Sequence, residues 1–186
     1  MKKITYILLL FISFSYGQQL AAPTSDITTI GVSSGTFASI DEATANDGDY
    51  VVTADNTAAT YEAKFASLTD PNVHTGHIVR FRIAKADTGV PPSTDGNGVT
   101  CVAGLYQGAT LITDMYNAPI GAWDTREFTL SEAQAANITD YSDLRVRFDF
   151  SASGGNPSNR RGGAVSWLEI QVPDPVTSSR RIFIIN

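Results

Sequence analysis

The sequence predicts an all-β protein: an antiparallel β-sandwich, jelly-roll-like, with one short connector helix. Three observations predict it. Leu144, Val146, Phe148 and Phe150 alternate with Arg145, Arg147 and Asp149, the period-two pattern of a strand with one buried face. Short apolar runs of this kind recur at close intervals, each bounded by Gly, Asn, Asp or Pro. Helical periodicity is confined to one brief stretch, and neither a βαβ rhythm nor a solenoid or propeller repeat is present.

The elements follow in chain order. Residues 1–17 read as a secretory signal peptide, with Lys2 and Lys3 ahead of an apolar run from Tyr6 to Phe14 and small residues at Ser15 and Gly17. The run is too short for a comfortable membrane span and has no stop-transfer sequel. The expected address is therefore secreted, extracellular or at the cell surface. Residues 18–36 form an extended N-terminal arm holding one short strand at 27–30, and a β-sandwich domain occupies 37–174. Within it, turn residues mark a loop at 41–49. Strands are expected at 50–53, 60–65, 78–85, 99–107, 110–115, 126–130, 144–150 and 168–172. The segment 86–98, rich in Pro, Gly and Asp, is a long connection, and Gln107-Gly108 is the expected hairpin turn. Ser131 with Gln134 three residues on makes a capping box ahead of Ala135 and Ala136, which sets the connector helix. Pro173 removes a backbone donor and ends the last ladder. Residues 175–186 are a linker and a C-terminal strand or tail. Its apolar Ile182, Phe183, Ile184 and Ile185 read either as a strand docked on the domain's own sheet or as one supplied to another chain.

With 19 acidic and 13 basic residues the chain of 186 carries a net charge of −6, and loss of the leader removes Lys2 and Lys3 but no acid. Such a surface argues against nucleic acid or anionic lipid as the main partner. Cys101 is the single cysteine, so no intrachain disulfide forms; its alternating neighbours make it a small buried hydrophobe.

Hydrolysis needs paired carboxylates on rigid elements or a nucleophile with its base. The acidic clusters fall in loops and neither histidine sits in such a motif, so no catalytic set is assigned. His74 and His77 are spaced H-x-x-H, but Pro71, Asn72 and Gly76 make the segment a turn, which favours packing over zinc. Asp41, Glu42, Asp47 and Asp49 offer hard oxygens to calcium, against a bland reading as solvated turn carboxylates. No other cofactor is expected. Trp123 and Trp167 are out of step with the apolar residues of their strands. Each is either a platform for a sugar ring or an indole covered at a sheet edge or loop. Arg80, Arg82, Arg145 and Arg147 face outward on two strands. On adjacent strands they form, with Arg160 and Arg161, a basic patch for an anionic glycan. The bland reading pairs them with Glu62, Glu127, Asp149 and Glu169.

The segments DEATANDGDYV (41–51), LTDPNVHTGHIVRFRIAK (68–85), AGLYQGATLI (103–112), EFTLSEAQAANITDYSDLRVRF (127–148) and VSWLEIQVPD (165–174) resemble, in this order, an uncharacterised family of β-sandwich modules in bacterial secreted proteins and tailed phages. The resemblance implies no enzyme activity and no cofactor, and its phage members imply a structural role. The leader is similar to those of exported Bacteroidetes proteins and departs from the phage pattern. The expectation is a secreted, non-catalytic structural or adhesive module acting through protein–protein contacts, with self-association into filament-like assemblies. The alternative is a carbohydrate-binding module engaging surface glycan through the Trp and Arg candidates.

Overall fold

The computed structural model describes residues 17–175, apart from 46–47, 56, 94–95, 97 and 153–160. Eleven strands among the described residues form two sheets in which every pairing is antiparallel. They are β1 (Gln18–Ala21), β2 (Pro23–Ile30), β3 (Val32–Ser34), β4 (Val51–Thr53), β5 (Ala59–Phe65), β6 (Ile78–Ala86), β7 (Val99–Gln107), β8 (Thr110–Ile120), β9 (Asp124–Thr129), β10 (Leu144–Ala152) and β11 (Gly162–Pro173). The first sheet runs β3-β4-β11-β6-β9, with β1 beside the far half of β11; the second runs β2-β5-β10-β7-β8.

Alternation places one face of each strand in a common core. β10 contributes Val146 and Phe148, β5 Tyr61 and Ala63, β7 Cys101 and Leu105, β6 Phe81 and Ile83, and β11 Leu168 and Ile170, all fully buried. Phe81 and Phe148 meet across the two sheets, ring centroids 5.5 Å apart at 74°, an edge-to-face contact that adds directional attraction to area burial. At roughly 25 cal/mol per Å² of apolar surface removed from water, this shared face is the main stabilising term.

Residues 18–36 are built into the sandwich. β1 pairs with β11, β2 pairs with β5, and β3 pairs with β4, so the arm contributes strands to both sheets. β11 is flanked on one side by three segments in turn: β4, then the Ile40 carbonyl accepting from the Leu168 N–H at 3.1 Å, then β1. A bulge between Val165 and Trp167 makes room for this handover. β8 extends to Ile120, five residues past its expected end, because it is an edge strand and tolerates Pro119. The hairpin before it turns one residue later than expected: Gln107 is opposite Thr110, and Gly108 adopts φ +56°. The connector helix α1 (Glu132–Ala135) starts at Ser131, whose hydroxyl accepts from the Gln134 N–H, the expected capping box.

Candidate functional site

Strand alternation leaves two outer faces, and each carries a cluster of aromatic and polar side chains. On the first sheet, Val52, Ala86 and Ala164 stand side by side on β4, β6 and β11 and form a small apolar patch against which Tyr50 and Trp123 pack. Trp123 is half-buried in the turn leading into β9. Because its floor is one valine and two alanines, nothing tall holds the indole off the sheet. Tyr50 flanks it, ring centroids 6.3 Å apart and planes tilted by 52°. The Arg82 guanidinium lies 5.4 Å from the indole centroid and donates through Nη1 to Thr125 Oγ1 at 2.9 Å. No ion pair engages Arg82 among the described residues.

Arg80, one pleat along, is fully engaged: Nε donates to Glu127 Oε2 at 2.7 Å, and Nη1 to Glu169 Oε1 at 3.1 Å and Gln171 Oε1 at 3.0 Å. Partial burial works against its charge, and the two carboxylates outweigh that and hold the guanidinium pKa above its ordinary value.

Trp167 shares this outer face opposite Arg82, but the loop after Ile40 covers it. It is 7% exposed, and its Nε1 donates to the Glu42 carbonyl at 2.9 Å. Of the two readings of Trp167, a sugar platform or a covered indole, the structure gives the second: it anchors the loop. Asp41 and Asp49 are exposed, Glu42 is half-buried, Asp47 lies outside the described residues, and no group of three or more His, Cys, Asp or Glu suited to a metal occurs among the described residues.

A single basic patch does not form, and the ion-pair alternative holds for Arg80 with Glu127 and Glu169 and for Arg147 with Glu62. β6, bearing Arg80 and Arg82, belongs to the first sheet, and β10, bearing Arg145 and Arg147, to the second, so the two pairs face opposite sides of the sandwich. Arg161 pairs with Asp87 at 3.2 Å, and Arg160 lies outside the described residues. On β10, Arg145 grips Asp143 with Nε and Nη2 at 2.9 and 2.8 Å. Arg147 Nε and Nη2 both donate to Glu62 Oε2, at 3.2 and 2.9 Å, and its guanidinium stacks 4.3 Å from the Tyr106 centroid.

His77 is buried, its Nε2 2.7 Å from the Tyr141 hydroxyl. Ile182, Phe183, Ile184 and Ile185, and the leader residues 1–16, lie outside the described residues. Among the described residues no helix is long and apolar enough to cross a membrane.

The sequence reading missed Tyr50, which makes Trp123 half of an aromatic pair. Its signal was an aromatic at the mouth of a short strand, uninformative until β4 is placed two strands from β9's neighbour.

No protein-family model matches the chain, and no curated protein sequence matches it. Among solved structures, it is similar to a family 61 carbohydrate-binding module in complex with β-1,4-galactotriose (TM-score 0.36, 12% identity, covering 70% of this chain and 74% of that one). It is also similar to a family 29 carbohydrate-binding module from Piromyces equi (TM-score 0.36, 10% identity, 89% and 95%). A third is the family 11 module of a cellulosomal cellulase of Clostridium thermocellum (TM-score 0.30, 13% identity, 91% and 92%). At these values the likeness carries no argument, and the ligand of this chain is argued from its own residues.

Proposed function

We propose that this protein is a non-catalytic recognition module, acting outside the cytoplasm, that binds carbohydrate on the outer face of its first sheet. The observation that carries the reading is the indole of Trp123 resting on Val52, Ala86 and Ala164, with Tyr50 tilted beside it. A pyranose presents an apolar C–H face and a rim of hydroxyls. The indole suits the first by contact with its π face, and Arg82 and Thr125 suit the second as hydrogen-bonding neighbours. Nothing in this arrangement is a nucleophile with a base.

Affinity electrophoresis in gels cast with soluble polysaccharides tests the reading against a glycan array. Trp123→Ala is expected to weaken binding about tenfold or more, the equivalent of about 1.4 kcal/mol, with its melting temperature nearly unchanged. Trp167→Ala is expected to lower the melting temperature instead, because it strips the anchor from the Ile40–Glu42 loop. An array without hits, or a Trp123→Ala variant that binds as well as wild type, sinks the reading.

A second reading is assembly through protein–protein contacts. It is favoured by Leu20 (60% exposed) on β1 and Ile30 (65% exposed) on β2, apolar side chains presented by strands at sheet edges. Light scattering of the protein with and without residues 175–186 tests it. A monodisperse monomer in both forms removes it.

A further inference from the structure

The outer face of the second sheet carries a different constellation. Register aligns Thr28, Glu62, Arg147, Gly104 and Asp114 in one row across the five strands. Glu62 is 1% exposed, its Oε2 holding both Nε and Nη2 of Arg147 and accepting from the Thr28 hydroxyl at 3.3 Å. A planar guanidinium gripped along one edge and stacked on Tyr106 has one orientation. Its Nη1 remains without a hydrogen-bond partner among the described residues.

Around it the row lacks a side chain at Gly104. A Cβ there would lie 3.0 Å from both Leu111 Cδ1 and the Tyr106 ring and 3.6 Å from Asp114 Oδ1, so these three converge on the gap. Leu111 is 45% exposed. The Asp114 carboxylate and the Asn117 amide, the latter one row further along β8, are exposed and without a hydrogen-bond partner among the described residues. The face therefore offers an oriented donor, an acceptor carboxylate and an amide that does both, beside an apolar side chain.

We infer that this face is a second saccharide site, separate from the Trp123 platform and selective for neutral sugars. The donor–acceptor set fits vicinal hydroxyls. Charge decides against uronates and sulfated sugars: Lys64, Arg145 and Arg147 are outnumbered by Glu62, Asp143, Asp149 and Asp114, with both Glu62 and Asp143 already held in ion pairs, so the face is net negative and repels an anion. The inference rests on reading the protein as a carbohydrate binder and adds a consequence. Two sites on opposite faces of a sandwich, whose sheets pack about 10 Å apart, cannot be spanned by one straight glycan strand. A single copy joins two strands.

Isothermal titration of wild type, Trp123→Ala, the Asp114→Ala/Asn117→Ala double variant and their combination tests this, with cellotetraose, xylotetraose and β-1,4-galactotetraose as probes. Both substituted residues on this face are exposed, so folding is not at stake. The expected result is two equivalents bound by wild type and one by Trp123→Ala. The remaining equivalent should weaken about tenfold in the combined variant and be lost when the probe is replaced by tetragalacturonate. If wild type binds one equivalent, and Trp123→Ala none, the inference is overturned while the proposed function stands. Residual binding that ignores Asp114 and Asn117 also overturns it. If wild type binds none of the probes, both readings fail together.

Discussion

Two buried side chains show how single positions answer to solvent. His77 is fully buried against Tyr141, and burial chiefly, with the nearby His74 adding to it, holds its pKa below the ordinary 6.5. A base whose folded pKa is depressed binds fewer protons folded than unfolded, so its contribution is complete above pH 6.5 and is lost as the pH falls through the folded value. The urea midpoint of wild type should therefore drop below pH 6.5, well above the range in which most carboxylates titrate. A His77→Gln variant, less stable at pH 8, should show a flatter profile across that interval; parallel profiles would refute the assignment. Cys101 is the second case. Burial first, and the Asp149 charge second, push its thiol far up, so almost no thiolate forms near neutrality. We expect no reaction with Ellman's reagent in native protein and one equivalent on denaturation.

At the scale of elements, the alternating strands were legible because their physics is local. The β7 bounds match the expected 99–107, and β10 and the capping box of α1 follow directly from side-chain parity and from Ser131 and Gln134. What was not legible depends on partners. Two register shifts in the β7–β8 pairing break the alternation of β8, and its edge position makes Pro119 acceptable, so its second half was hidden. The bulge at Ser166 puts both Val165 and Leu168 in the core, a spacing of three that looks unlike a strand. The candidate site was half legible for the same reason. Parity exposed Trp123, Arg82 and Arg147 as outward-facing, but parity cannot say that a loop returns over Trp167 or that β6 and β10 lie in different sheets. The sharpest element-level test is at Gly163 on β11. A Cβ there would sit 2.1 Å from the Phe150 ring, so Gly163→Ala has to displace β10 or β11 and should cost about 1–3 kcal/mol. Gly121, with nothing within 4 Å of its Cβ position, is the control and should tolerate alanine with little change in melting temperature.

At the scale of the whole molecule, the order of strands in space sets what must be synthesised before anything is stable. β11 spans twelve residues near the end of the described chain, yet it lies inside the first sheet, with β6 on one side and β4 and β1 on the other. β1 thus has β11 as its sole strand partner among the described residues. Until residue 173 is available, β4 and β1 have no sheet to join, and the inward faces of β5, β10 and β7 have no opposing layer over much of their area. Loop-closure entropy is spent before any of these distant contacts forms, so folding is expected on a scale of about milliseconds to seconds, as for other all-β domains dominated by non-local pairing. A chain ending at residue 161 should then lack near-ultraviolet circular dichroism and a cooperative thermal transition, whereas one ending at 175 should fold and melt like the full-length protein. A folded 161-residue fragment would mean that the second sheet, with β6 and β9, is stable without its central partner, and that β11 completes the Trp123 floor through Ala164 without being needed for the core.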